Sequence, residues 1–275
     1  MKKKMIKVLV FLLVLSAFAW TQNEWIQITN LAYESSDLPD QFDGFKILQI
    51  SDLHNHRFGS NQNRLLESIE TISPDLIVVT GDLIDRRRYD LEPIQELLAK
   101  FPNVPTYYVS GNHEIWSGNY PEVKSLIEAT GWNVLDNQTA IISRGEDLIQ
   151  LIGLMDPASR DQGDIQSHIT QKLNAIPIHS EDFSILLSHR PNPFEIYANY
   201  PIDLVFSGHA HGGQFRLPFL GGFIAPDQGL FPTYTEGAHT LKQTTMIVSR
   251  GLGNSIIPLR VFNRPELVVV TLKKK

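Results

Sequence analysis

The chain of 275 residues is 42% apolar and 20% charged, with 24 basic against 30 acidic side chains, a net charge of −6 and no cysteine. This composition excludes a disordered or collagen-like polymer and a disulfide-stapled miniprotein. Without thiols there is no cysteine nucleophile or thiolate metal site, and the acidic balance speaks against a broad phosphate-backbone footprint, so no nucleic-acid partner is expected.

Residues 1–20 stand apart. Lys2, Lys3, Lys4 and Lys7 precede an apolar run from Val8 to Leu15, and Ala17-Phe18-Ala19 follows it. A basic start, a short apolar core and an A-x-A-like site read as a signal peptide or an N-terminal membrane anchor, with cleavage left open. The apolar run is shorter than the ~20 residues of a comfortable span. In either case the protein is expected outside the cytoplasm, anchored to the membrane or secreted. Residues 21–44 read as a linker and first strand, and residues 45–272 as one domain.

From Phe45 onward one phrase recurs: a short β-rich apolar run, a small hydroxyl residue, then polar chemistry. Ile47-Leu48-Gln49-Ile50-Ser51 leads to Asp52-Leu53-His54, and Leu76-Ile77-Val78-Val79-Thr80 leads to Gly81-Asp82. Tyr107-Tyr108-Val109-Ser110 leads to Gly111-Asn112-His113-Glu114. Later, Ile185-Leu186-Leu187-Ser188 leads to His189, and Leu204-Val205-Phe206-Ser207 to Gly208-His209-Ala210-His211. Unbroken apolar runs of this length are buried strands.

Helical patterns separate them. Leu65, Leu66, Ile69 and Ile72 share a face that stops at Ser73-Pro74; Leu91, Ile94, Leu97 and Leu98 form another after Asp90, a cap candidate. Pro121 to Thr130, followed by Gly131, is a third. Strand-helix-strand units imply a largely parallel sheet covered by helices, with polar residues gathered at the carboxyl ends of the strands. Further strand signals at Leu148–Leu154, Thr244–Ser249 and Leu267–Leu272 predict a second sheet packed on the first.

The converging set is Asp52, His54, Asp82, Asn112, His113, His189, His209 and His211. Carboxylate, imidazole and amide oxygen suit Mn²⁺, Fe or Zn²⁺, and one carboxylate can bridge two ions about 3.5–4 Å apart, the spacing of in-line phosphoryl displacement. Asp-x-His or Gly-Asp alone signals a turn as readily as a ligand. The five phrases in order, each at a strand end, signal a site.

These residues resemble the signature blocks of the calcineurin-like metallophosphoesterases: Asp52-Leu53-His54, Gly81-Asp82-Leu83-Ile84-Asp85, Gly111-Asn112-His113-Glu114, Ser188-His189 and Gly208-His209-Ala210-His211-Gly212-Gly213-Gln214. With Ser249-Arg250-Gly251-Leu252-Gly253 and Phe262-Asn263-Arg264-Pro265-Glu266, the last block is similar to that of membrane-associated bacterial phosphoesterases, some of which are UDP-2,3-diacylglucosamine pyrophosphatases and others of which associate with the cell wall. The resemblance implies a four-layer α/β/β/α sandwich of two mixed sheets and two divalent metal ions (Mn, Zn or Fe). Asp52, His54 and His211 would hold the first ion and Asn112, His189 and His209 the second, bridged by Asp82. His113 would serve as the acid at the leaving oxygen, with Asp85 and Glu114 orienting histidines or backbone. The implied activity is hydrolysis of a phosphoester or pyrophosphate by a metal-bridging hydroxide attacking in line, on an envelope lipid or glycolipid phosphate. The rival readings are a surface-binding protein with a structural metal and a small-nucleotide phosphodiesterase.

Substrate choice then rests on loops. Phe219 and Phe223 belong to an apolar, turn-rich stretch after His211 that either meets an acyl chain or membrane or packs the sheet edge. Arg86, first of three consecutive arginines, either grips a second phosphate or lies in a solvated turn.

Overall fold

The computed structural model describes residues 2–159, 161–217, 219–255 and 257–275. In chain order the elements are α1 (Lys2–Glu24), β1 (Gln27–Ser35), β2 (Lys46–Ile50), α2 (Asn63–Ile72), β3 (Leu76–Val79), α3 (Glu92–Leu98), β4 (Thr106–Tyr108), α4 (Asn112–Trp116), α5 (Tyr120–Glu128), β5 (Asn133–Val134), β6 (Gln138–Arg144), β7 (Asp147–Leu154), α6 (Gln162–Ala175), β8 (Ser184–Ser188), α7 (Phe194–Tyr197), β9 (Leu204–Ser207), β10 (Gly237–Leu241), β11 (Thr244–Val248) and β12 (Glu266–Lys274). Four two-residue strands pair into small ribbons between Arg216 and Leu230.

Two six-stranded mixed sheets carry the fold. The first runs β1-β12-β2-β3-β4-β5 and the second β10-β11-β9-β8-β7-β6. Within the first, β2 to β5 are parallel and β12 is antiparallel to β2; within the second, β11, β9, β8 and β7 are parallel and the edges antiparallel.

Side-chain alternation turns each apolar run into two interfaces. Ile47, Leu76, Val78 and Val268 of the first sheet meet Leu151, Ile185, Leu187 and Phe206 of the second in a core between the sheets. The alternate residues, Leu48, Ile50, Ile77 and Val79, pack beneath α2, α3 and α5. On the far side Ile152, Leu186 and Val205 pack beneath α6 and α7. Three interlayer cores make four layers, and they explain why these strands read as unbroken apolar runs: both faces are covered. The helices start and stop for local reasons. Helix α2 ends where Ser73 turns left-handed ahead of Pro74, and Asp161 caps α6 by accepting from Asp164 N.

Three sequence expectations shift. Leu267–Leu272 joins the first sheet rather than the second, pairing Val268 with Gln49 and Val270 with Ile47; an apolar strand carries no mark of which sheet it will complete. The phrases at His189 and His209 belong to the second sheet, so the site forms where the carboxyl ends of two facing sheets meet, not along one edge. At α3 the cap position is Leu91, while Asp90 still accepts from Glu92 N through its side chain. Residues 21–44 hold the last turn of α1 and the edge strand β1, which pairs in parallel with β12 over nine residues.

Leu187, fully buried between the sheets, tests the layering. Leu187→Ala is expected to cost about 2–5 kcal/mol in urea unfolding, the range for a core leucine that leaves a cavity. A loss below about 1 kcal/mol would contradict a closely packed inter-sheet core.

Candidate metal centre

The turns after β2, β3 and β9 hold unusual backbone. Asp52, His54, Asp82, His209 and His211 all have left-handed φ, between 48° and 65°, a conformation costing non-glycine residues roughly 1–3 kcal/mol each unless the surroundings enforce it. The enforcement is visible. Asp52 N donates to Gly81 O and His54 N to Asp82 O, both at 3.0 Å. His209 N donates to both carboxylate oxygens of Asp52 at 3.1 Å, and His113 N to Asp82 Oδ1 at 2.8 Å. The Glu114 carboxylate accepts four backbone N–H groups, from Asp82 (2.9 Å), Leu83 (2.6 Å), Ile84 (3.3 Å) and Gly111 (2.9 Å), joining the turns after β3 and β4. Gly208 is obligatory where the turns cross, because a Cβ there would lie 1.9 Å from Ser51 Oγ.

Two buried triads result. Asp52, His54 and His211 form one; Asp82, His189 and His209 form the other. In the first, His54 Nε2 lies 3.1 Å from His211 Nε2, and Asp52 Oδ1 lies 3.8 and 3.5 Å from them. In the second, His189 Nε2 lies 3.1 Å from His209 Nδ1 and 3.3 Å from Asp82 Oδ2. Asp82 Oδ2 is also 3.6 Å from His54 Nε2, so Asp82 stands between the triads. Asn112, on the adjoining cavity wall, keeps its buried Oδ1 without a hydrogen-bond partner.

These residues fit divalent cations. Burial drives the His54 imidazole down to about 3 and His211 well below its usual value, so both present neutral nitrogens. Burial likewise pushes Asp52 up to about 6. In the first triad neutral nitrogen lone pairs and a carboxylate oxygen therefore face one another, with separations close to those of ligands about 2.0–2.2 Å from a shared ion. In the second, burial of His189 is outweighed by Asp82, which raises it to about 10, so that a cation would take the place of its proton. The outer nitrogens fix the tautomers: His189 Nδ1 meets Thr80 O at 2.7 Å and His209 Nε2 meets Asp227 Oδ2 at 2.9 Å, leaving the opposite nitrogens facing the centre.

His113 sits beside the triads, its ring 4.5 Å from that of His54. Its Nδ1 side is occupied by Arg86 N (3.3 Å) and Asp85 Oδ1 (3.4 Å), so Nε2 is the nitrogen left for a substrate. Burial opposes its charge, but the carboxylates of Asp82, Asp85 and Glu114 outweigh burial and hold its pKa above the imidazole norm. Burial of Asp85 is outweighed in turn by hydrogen bonds from His113 and Arg87 N, which keep its carboxyl well below the usual range.

A cavity of about 350 Å³ opens over the centre, lined by Asp82, Asn112, His113, His209, His211 and also Arg86, Arg87 and Trp116. Arg86 stacks its guanidinium 4.9 Å from the Trp116 ring, with Nε buried and unpartnered. Arg87 is tied to Asp85 and Ser255, and the Arg88 side chain is exposed; of the three arginines, Arg86 is the one with capacity for an anion. A second, apolar cavity of about 330 Å³ adjoins at His211, lined by Gln214, Ile224, Ala225, Pro226 and Ile257. In the same stretch of chain as Ile224, Phe219, Leu220 and Phe231 are exposed, Phe219 entirely, while half-buried Phe223 packs edge-on against Phe231 at 5.5 Å.

Several participants lie outside the converging set of strand-end residues. Arg190 clamps Asp156 with two hydrogen bonds (2.7 and 3.1 Å) and pairs with Asp227, which holds His209. Asn263 Nδ2 donates to His211 O, and buried Arg260 donates to the carbonyls of Arg250 and Gly253. The only sequence cue for Arg190 is its place beside His189; Asp227 lies in an otherwise apolar loop.

A family model described as calcineurin-like phosphoesterase matches residues 45–213. The chain is 34% identical to the uncharacterized metallophosphoesterase YkuE of Bacillus subtilis, over 90% of this chain and 86% of that one. It is 28% identical to the phosphodiesterase YaeI of Escherichia coli (83% and 82%). Identity is also 28% to a transmembrane protein with a metallophosphoesterase domain from Danio rerio, covering 86% of this chain and 55% of that protein.

Glu114→Gln replaces an acceptor-only group with one that also donates, opposite four N–H groups. It is expected to destabilise the protein by about 1–3 kcal/mol, the cost of buried donors left unmatched, measurable by denaturant unfolding of the metal-stripped protein. An unchanged midpoint would mean that the four hydrogen bonds do not hold the turns.

Proposed function

The chain belongs to the calcineurin-like phosphoesterases, and on that premise we propose that it hydrolyses phosphoester or pyrophosphate bonds with two divalent cations in the cleft, on amphiphilic phosphates at a membrane surface. The observation that carries the hydrolytic reading is the pair of triads joined at Asp82. Asp52, His54 and His211 would hold one ion, His189, His209 and Asn112 the other, with Asp82 shared. The two ions supply charge neutralisation for the phosphate and an activated water. The chain's own groups do the rest. Arg86, stacked on Trp116, meets a phosphate oxygen, and His113 gives its Nε2 proton to the departing oxygen while Asp85 keeps the ring oriented.

The membrane reading rests on three further observations. An 18-residue window of helix α1 has mean hydropathy 1.9 and is almost wholly exposed, four lysines precede its apolar run, and Phe219, Leu220 and Phe231, from the same stretch of ribbons as the cavity-lining Ile224, are exposed. Lysines at the start of a membrane helix favour the cytoplasmic side, which supports reading the domain as lying on the outer face. An acyl chain entering the apolar cavity gains about 0.8 kcal/mol per buried methylene, so a few methylenes outweigh an exposed charge contact.

Elemental analysis of the reconstituted protein should find two ions per chain, and chelation should abolish turnover; at most one ion would sink the two-ion reading. His113→Ala should retain both ions yet lose about 10²–10⁴-fold of turnover on alkyl phosphates. On nitrophenyl phosphates, whose leaving oxygen needs no proton, the loss should be small. Equal losses on both would contradict the acid role. Phe219→Ser with Leu220→Ser should leave nitrophenyl phosphate hydrolysis intact while weakening action on vesicle-borne phosphates; an unchanged preference would mean that a soluble phosphate is the substrate.

A further inference from the structure

The last turn of α1 is polar after the apolar run that follows its N-terminal lysines, and its polar side chains are engaged. Gln22 Oε1 accepts from Asn263 N at 3.1 Å. Asn23 Oδ1 accepts from Asn254 Nδ2 at 2.8 Å and Arg260 N at 3.2 Å, while its Nδ2 donates to Ala19 O. Glu24 meets His56 Nε2 at 3.1 Å and pairs with Arg64, which also donates to Glu24 O. Phe18 packs edge-on against Phe262 at 5.5 Å. An apolar leader has no use for such contacts.

Their destinations form a pattern. Asn263 donates onward to His211 O at 2.7 Å. Arg260 donates to Gly253 O at 2.6 Å, and Gly253 N in turn to Asp52 O at 2.6 Å. His56 lies two residues after His54, its N bonded to Leu53 O. Gln22 thus reaches His211 through one residue, Asn263, and Asn23 reaches Asp52 through two, Arg260 and Gly253, while Glu24 meets His56, two residues from His54; these three members of one triad come from both sheets. The other triad is held by Thr80, Glu114 and Asp227; among the described residues, the hydrogen bonds of this turn reach none of these.

We infer that the last turn of α1 is a clamp on the Asp52–His54–His211 half of the metal centre, with Asn23 as its main positioning residue. The membrane helix is then a retained working part of the enzyme, and its seating sets the affinity of one metal position while leaving the other alone. In this role Asn23 acts on the ligands through Arg260 and Asn254. The inference rests on the two-ion reading above.

The test uses the full chain in detergent micelles, stripped of metal and titrated with Mn²⁺ by calorimetry. Asn23→Ala is expected to weaken one of the two sites about tenfold, the loss of roughly one hydrogen bond's worth of positioning, with the other unchanged. Asn23→Asp, which keeps the acceptor oxygen, should bind like the wild type. Glu24→Gln, which loosens the His56 side, should weaken the same site and serves if Asn23→Ala does not fold. Amide exchange in the metal-free protein should speed at Gly253 and Asn263 in Asn23→Ala and not at Gly111. Unchanged affinities at both sites in Asn23→Ala and Glu24→Gln would overturn the inference, as would a parallel loss at both that follows a lower melting temperature. A wild type binding fewer than two ions would overturn the two-ion reading instead, and exchange at Gly253 would still decide whether the helix clamps the loop.

Discussion

Two buried carboxylates stand 3.3–3.8 Å from imidazole nitrogens, and imidazole nitrogens approach each other at 3.1 Å within each triad. Burial keeps His54 and His211 uncharged, while at His189 burial is outweighed by Asp82, which raises it to about 10. In the Asp52–His54–His211 half lone pairs therefore face one another, and that arrangement persists only if the backbone gives its members no freedom to separate. That constraint explains the left-handed turns at five of the ligand candidates, the absence of any side chain at Gly208, and a glutamate spent entirely on four N–H groups. The strands behind these turns have rigid apolar packing on both faces, which lets them carry strained backbone at their ends.

Around the centre, charge alternates outward. His209 is held by Asp227, Asp227 by Arg190, and Arg190 by Asp156; on the other side Arg250 pairs with Glu266, whose Oε2 also accepts from Arg250 N. Buried ion pairs contribute little net stability, yet removing one partner strands the other at a cost of several kcal/mol (about 3–5). Here they act as spacers that fix the orientation of imidazoles and the path of the turn between Arg250 and Asn263. The same economy places Arg86 on the cavity wall with an aromatic face for support and a free Nε.

The cleft is asymmetric. Charged and amide groups crowd the side of His54, Asn55, His56 and Arg88, where α1 also ends, whereas the side beyond His211 is apolar, and the stretch of chain that lines it also exposes Phe219 and Phe231. On the reading proposed above, a substrate with a polar half and an apolar half would match that division.

By itself the sequence determined the α/β class, the buried strands, the helices α2, α3 and α5, and the identity of every residue in the two triads. It could do so because these features are local: an apolar run bounded by a turn, a face of period 3.6, a ligand placed one or two residues past a strand end. Which sheet each strand would join was not local. Leu267–Leu272 has the same apolar pattern as a strand of the second sheet, and only antiparallel pairing with β2 settled its place. Beyond Asp85 and Glu114, the groups behind the ligands had no assigned role, since Arg190, Asp227, Asn263 and Asn23 lie far apart in the chain and acquire roles only where they meet. The three arginines after Asp85 look alike in sequence, and packing against Trp116 and Asp85 is what told them apart. The N-terminal helix shows the same division. Its apolar length was written in its residues, but its last turn is held only because loops of the domain present backbone N–H, amide and imidazole partners to Gln22, Asn23 and Glu24.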